Sequence, residues 1–178
     1  GMVTWGGPWN IMNGIAGILN TVTICGWFGI FISKDSSKDM IWPDMIWPWI
    51  IAYDLWNFAY TYNCISDHSA YCGLALLLAC TIPTFFIKQG AWLQHRAQTL
   101  ALWIMFVMTV PQFADVLAPI PTTHNPTAFF VVSLIALAAN VAVAVYQLYR
   151  IRKLKLNPLK DEIYKGTKPY ERVVEENR

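Results

Sequence analysis

The chain has 178 residues, of which 56% are hydrophobic, only 13% are charged and nine are Trp. A soluble domain carries about a quarter charged residues, so an ordinary water-soluble domain is excluded. The net charge of +2 comes with as many acids as bases late in the chain, which argues against nucleic-acid binding.

The N-terminal Gly1-Met2-Val3-Thr4-Trp5 lacks the basic region of a secretory signal peptide. Gly1-Met2 reads as a tag remnant or an arbitrary start, which leaves room for further spans upstream. A membrane-spanning helix needs roughly 20 mostly apolar residues, and five stretches qualify. The first covers residues 9–33, with Asn20 near its middle beside Thr21 and Thr23.

The second covers 41–64. Met40-Ile41-Trp42-Pro43 is echoed by Met45-Ile46-Trp47-Pro48 around Asp44. Pro suits the first turn of a helix and disrupts later ones. An interfacial segment to about Trp47 is therefore expected, with the helix proper starting at Pro48 and Trp42, Trp47 and Trp49 at headgroup level. Within this span Asp54, Asn57 and Thr61 share a face by helical spacing.

The third span, 70–87, is the shortest and holds Pro83. The fourth, 92–117, begins with a donor-rich run that includes His95, Arg96 and Gln98, and ends near Asp115. The fifth, 127–149, carries a small, polar stripe of Ser133, Ala136, Asn140, Ala144 and Gln147, the kind of surface that close helix–helix contacts use.

Orientation follows from Lys and Arg. Lys34 and Lys38 separate spans one and two, Lys88 and Arg96 bracket spans three and four, and the remaining basic residues follow span five from Arg150 onward. Five spans put all of these on one side and leave the opposite loops, 65–69 and 118–126, without a Lys or Arg. The expectation is an all-α polytopic bundle of about five spans over 1–150, N-terminus outside and C-terminus inside. Residues 151–178 then form a solvated cytoplasmic tail, basic and then of mixed charge, whose juxtamembrane cluster touches anionic lipid headgroups.

Ionisable groups inside spans are costly and mark function. Asp54, with Asn57, Thr61, Asn20 and Asn140, is the candidate binding site, for a cation, a proton or a small polar solute. The competing reading makes the amides interhelical hydrogen-bond partners. His95, Arg96 and Gln98 form a polar cluster at the cytoplasmic end, where Arg96 either meets an anionic solute or anchors the interface. Asp67, His68 and Asp115 lie at the outer mouth.

Cys64 and Cys72 flank the outer loop, and three readings stay open. They are a disulfide, a zinc set with Asp67 and His68 whose spacing matches no strong signature, or unpaired thiols. No phosphate-cradling glycine loop or nucleophile elbow is present, and no cofactor, catalytic or metal residue is assigned.

The runs Ser37-Lys38-Asp39-Met40-Ile41-Trp42-Pro43-Asp44-Met45, Ile51-Ala52-Tyr53-Asp54-Leu55-Trp56-Asn57-Phe58-Ala59-Tyr60 and Gly90-Ala91-Trp92-Leu93-Gln94-His95-Arg96-Ala97 resemble an uncharacterised family of bacterial multi-pass membrane proteins. The resemblance implies a bacterial plasma-membrane location and transfers no activity. Transport by a small permease or channel-like bundle, as a monomer or homo-oligomer, is the expected function. A non-transporting sensor or assembly subunit acting through the tail is the alternative.

Overall fold

The computed structural model describes residues 6–121 and 123–178, and these are mostly helical. Helix α1 (Pro8–Val22) begins with Pro in its first turn, where the missing N–H costs nothing. It stops where Thr23 turns its hydroxyl back onto the carbonyls of Leu19 and Asn20. Gly26 then takes a left-handed conformation, φ 74°, at a point where a Cβ would run into Asp44. The expected span over 9–33 is thereby corrected. The helix has 15 residues, about 22 Å at the helical rise, and residues 31–32 instead form a short strand.

Two short strands, β1 (Phe31–Ile32) and β2 (Met40–Ile41), pair antiparallel with Phe31 opposite Ile41. Helix α2 (Trp47–Cys64) starts with Pro48 in its first turn, as the Trp-Pro echo suggests. A π-helical stretch, Ser69–Ala75, runs directly into α3 (Leu76–Phe86). Pro83 ends α3 within a turn, its carbonyl taking the N–H groups of both Ile87 and Lys88.

Helix α4 (Trp92–Thr109) is shorter than the expected 92–117. Val110 precedes Pro111 and leaves the helical region (φ −127°, ψ 74°), as pre-proline sterics favour. Only a π-helical turn, Phe113–Leu117, follows. Helix α5 (Pro126–Leu154) is capped by Asn125, whose side chain accepts from the N–H groups of Thr127 and Ala128. Helix α6 (Lys168–Asn177) closes the chain.

Helices α1, α2 and α5 pack around a seam of small residues in which Ala16, Ala52, Ala59, Ser133 and Ala136 are fully or almost fully buried. Small side chains let helix backbones approach closely. The π-helical stretch Ser69–Ala75 lies against α2, and α4 lies against α3. The outward surfaces are hydrocarbon: Ile18, Phe86, Leu102, Met108 and Val145 are all well exposed. Among the described residues, Ser69–Phe86 and Pro126–Leu154 are long and apolar enough to cross a membrane. Helices α2 and α4 match the first in length, but their polar residues lower their hydropathy.

The largest departure from expectation concerns the tail. Instead of a solvated extension, Ile163, Tyr164, Tyr170 and Val173 are buried. They pack on Cys25, Ile46, Ile41 and Ala91. Asp44 accepts hydrogen bonds from the backbone N–H groups of Ile163 (2.6 Å) and Tyr164 (2.9 Å). Asn177 donates to the Gln89 carbonyl, and its own carbonyl accepts from Lys34 N–H. Arg150 donates to the carbonyls of Ile163 and Lys165.

The physical reason is an amphipathic α6. Tyr170, Val173 and Asn177 recur at helical spacing and bury one face against the loops that join α1 to α2 and α3 to α4. Tail and loops together form a cap at one end of the bundle. The other end is tied by Tyr62 on the Thr123 carbonyl, Tyr71 on the Ala118 carbonyl and Asn63 on Ser133.

Candidate functional site

The face of α2 bearing Asp54, Asn57 and Thr61 meets α3 at one end and the π-helical stretch at the other. At one end Asp54 Oδ2 accepts from the Thr81 hydroxyl at 2.6 Å. Thr81 in turn accepts from Trp92 Nε1 of α4 at 3.0 Å, and the Trp92 ring stands edge-on to Tyr53, centroids 4.9 Å apart. At the other end Thr61 meets Gly73, where a Cβ would run into its hydroxyl. Gly73 is the residue that lets the two backbones touch there. The Thr61 hydroxyl is spent on the carbonyls of Asn57 and Phe58 in its own helix.

Between these two contacts lie buried hydrogen-bonding atoms with no partner among the described residues: Asp54 Oδ1 and Asn57 Oδ1 on α2, and Arg96 Nε and Nη1 on α4. Arg96 is only 7% exposed, and its charge acts on Asp54, Cys72 and Cys80. Acceptors from α2 and donors from α4 therefore occupy one layer around α3. An orphaned polar atom in an apolar interior costs several kcal/mol, and further ones lie on Asn13, Asn63, Gln147, Tyr164 and Asn177 outside this layer.

The structure does not bring Asn20 and Asn140 into this layer. Asn20 Nδ2 donates to Asn140 Oδ1 at 3.2 Å, and Asn140 Nδ2 donates to the carbonyls of Ala52 (3.0 Å) and Ala136 (2.9 Å). Ala52 lies two residues before Asp54 and thus on the opposite side of α2. The expected five-residue site divides accordingly. Asp54 and Asn57 belong to the α2–α3–α4 layer, with Thr61 at its edge, while Asn20 and Asn140 tie α1, α5 and α2 together. Asn140→Ala is expected to cost about 1–2 kcal/mol, read as a lowered unfolding midpoint in detergent, and to leave the Asp54 layer intact.

At the cap end the expected cluster is rearranged. Gln98 is exposed and points away from buried Arg96. Gln94 instead accepts from Met40 N–H and donates to Asp39. His95 Nδ1 lies 2.8 Å from Thr84 Oγ1. The Thr84 hydroxyl proton is committed to the Cys80 carbonyl, so His95 Nδ1 is the donor in that contact. Thr81, Thr84, Trp92 and Gln94 are site residues that the sequence alone does not single out. Their signal, polar groups one turn apart on α3 and at the start of α4, has meaning only once those helices are paired.

At the opposite end, His68 Nε2 lies 3.0 Å from Asp115 Oδ1, and His124 Nε2 lies 3.8 Å from Asp67 Oδ1. The outer acids are thus partnered by histidines rather than left as an open acidic mouth. Cys64 and Cys72 are both free, which corrects the disulfide reading. Cys64 Sγ points to Asn10 Oδ1 at 3.6 Å while Cys72 sits in the π-helical stretch. No three His, Cys, Asp or Glu side chains gather to hold a metal among the described residues, so the zinc set does not assemble.

Fold and site together define a mostly helical protein with two helices able to cross a bilayer and a polar layer buried among three helices. The chain matches the family of unknown function DUF5692 over residues 1–176 and belongs to that family. No curated protein and no solved structure matches it.

Proposed function

We propose that the chain is an integral protein of a bacterial plasma membrane, with about five spans, N-terminus outside and C-terminus inside. It moves a proton, a cation or a small solute through the α2–α3–α4 layer, with Asp54 as the central group. The observation that carries this reading is the set of unpartnered atoms on Asp54, Asn57 and Arg96. Asn20 and Asn140 satisfy one another and nearby carbonyls, whereas an acid and a guanidinium inside a helix bundle are costly groups that mark function.

The membrane assignment is supported by hydrocarbon on the outward helix faces. It is also supported by the placement of Lys34, Lys88 and the tail in one cap while the far-end loops carry His and Asp alone. Arg152 and Lys153, in the last turn of α5, are the groups placed to meet anionic headgroups. A homo-oligomer remains part of the proposal, since it would cover the exposed outer faces of α3 and α4.

Cysteine accessibility tests the reading. In a background lacking the four native Cys, Asp54→Cys in proteoliposomes is expected to react with a charged, membrane-impermeant thiol reagent from one aqueous side, well above the rate of Ile82→Cys on the outer face. Equal, negligible labelling of both positions from both sides would rule out transport through this layer. The docked tail favours a second reading, a sensor or assembly subunit, because Asp44 gives tail and membrane helices a specific point of contact.

A further inference from the structure

The outward side of α5 carries Val145, Leu148, Tyr149, Arg152 and Lys153, which recur three or four residues apart and so form one stripe along the helix. Together they line a shallow, open groove of about 550 Å³. One part of the stripe is hydrocarbon and its end is basic. No Asp or Glu occurs anywhere in α5. The first acids after it, Asp161 and Glu162, are taken up by the Asn157 N–H and by Tyr170 and Lys165, and neither lines the groove.

The two cations are held differently. Lys153 Nζ donates to the Tyr149 hydroxyl at 2.9 Å and lies 5.3 Å from the centre of its ring. The ammonium is thereby drawn back toward the apolar stretch, with two N–H groups left to give. Arg152 has no hydrogen-bond or ion-pair partner among the described residues. Other basic groups of the cap are committed, Arg150 to tail carbonyls, Lys88 to Asp35 and Arg172 to Glu176.

Counted from Pro126, a hydrocarbon core of about 30 Å is crossed in about 20 residues, which ends near Tyr146. Tyr149 then stands at headgroup level, and Arg152 and Lys153 stand about a turn beyond it, where phosphates lie. An occupant of the stripe must bring hydrocarbon to Val145 and Leu148 and a negative charge to a point one turn further on. A phospholipid of net negative charge has both parts at that spacing. A zwitterionic one also carries a cation past its phosphate, and that cation meets the same two bases.

We propose that this stripe of α5 is a discrete site for one anionic phospholipid, its phosphate on Arg152 and Lys153 and an acyl chain along Val145 and Leu148. This rests on the membrane reading above and gives the general attraction to headgroups a single partner and place.

The test uses the full chain in phosphatidylcholine nanodiscs containing a minor fraction of a phosphatidylglycerol with a diazirine at the head of one acyl chain. Photolysis is expected to place adducts on Val145, Leu148 or Tyr149, and far fewer with the matched phosphatidylcholine probe. Arg152→Gln with Lys153→Gln should lower the adducts about tenfold or more, the scale of two cations near a charged surface. Lys34→Gln with Lys38→Gln removes the same charge from the same cap outside the groove, and is expected to leave them unchanged. All four positions are exposed, so neither change should unfold the chain. The proposal is overturned if the two probes label alike, as they would were the bases serving only the helix dipole. It is also overturned if the Arg152 and Lys153 pair changes nothing, or if the Lys34 and Lys38 pair lowers labelling as much, the mark of a diffuse field. Displacement by soluble glycerol 3-phosphate as effective as by unlabelled phosphatidylglycerol would overturn it in favour of a free anion. Release of the chain from liposomes by alkaline carbonate defeats the membrane reading itself. A chain that stays in the bilayer under any of the other contrary results loses the lipid site alone.

Discussion

An Asp54→Asn, Arg96→Met double variant is expected to be more stable than either single variant. Arg96 is buried with two nitrogens unpartnered, and Asp54 with one oxygen. The two charges lie on α2 and α4, on either side of α3, and act on each other. Removing one leaves the other as an uncompensated charge in an apolar layer, which is the costly half of breaking a buried pair.

Asn keeps an oxygen for the Thr81 hydroxyl, and Met keeps much of the length of Arg, so neither change should open a large cavity. The expected coupling between the two sites is about 1–3 kcal/mol, measured as non-additive unfolding free energies of the two single variants and the double variant in detergent. Additive losses would mean that Asp54 and Arg96 do not share a layer. Under the proposed function, the double variant recovers stability relative to either single variant while losing flux.

Asp44→Ala is expected to release the tail. The carboxylate receives the backbone N–H groups of Ile163 and Tyr164 and the thiol of Cys25, and it is 3% exposed. Ala would strand two buried donors at a cost of about 2–4 kcal/mol to the cap, read as faster proteolysis between Arg150 and α6. Asn, which can still accept from a backbone N–H, is expected to cost less.

The pH dependence has a definite sign. Burial pushes the Asp44 carboxyl up, against the lowering effect of the Tyr164 and Ile163 N–H groups. The folded cap then holds this proton at pH values where the unfolded chain has lost it. Its stability falls as pH rises from the ordinary value of 3.8 through the raised one. Moderate acidification from neutral pH is therefore expected to slow tail proteolysis in the parent chain and to have no such effect in Asp44→Ala.

Helix existence was legible in the sequence because the signals are local. The apolar stretches, Pro8, Pro48 and Pro126 at first turns, and the basic residues between stretches all report on their own neighbourhoods. Where the reading failed, the deciding contact was distant. Residues 23–33 are apolar enough to extend α1, yet Gly26 leaves the helical region to pass Asp44. The tail alternates charge with scattered apolar residues, and α6 becomes a buried face only when Ile41, Ile46 and Ala91 are beside it.

Asp54 stood out in the sequence because an acid in a span is rare, and its spacing to Asn57 and Thr61 puts all three on one face of a helix. That Asn20 and Asn140 serve another interface could not be read from spacing, because each lies near the middle of its helix and both faces of α2 are in contact with neighbours. Arg96 illustrates the same limit. One turn from the end of a span, it reads as an interfacial anchor, and only the pairing of α4 with α3 turns it inward.

Asp54 is the central group of the proposed conducting layer, and flux through sealed proteoliposomes tests that role most directly. With an imposed pH gradient and an internal pH dye, the parent chain is expected to exceed protein-free liposomes. Asp54→Asn should fall from that rate by about tenfold or more, as loss of a proton- or cation-carrying group does, while Asn140→Ala stays at the parent rate. Asp54→Asn conducting as the parent does, or a parent chain no faster than bare lipid, would contradict it.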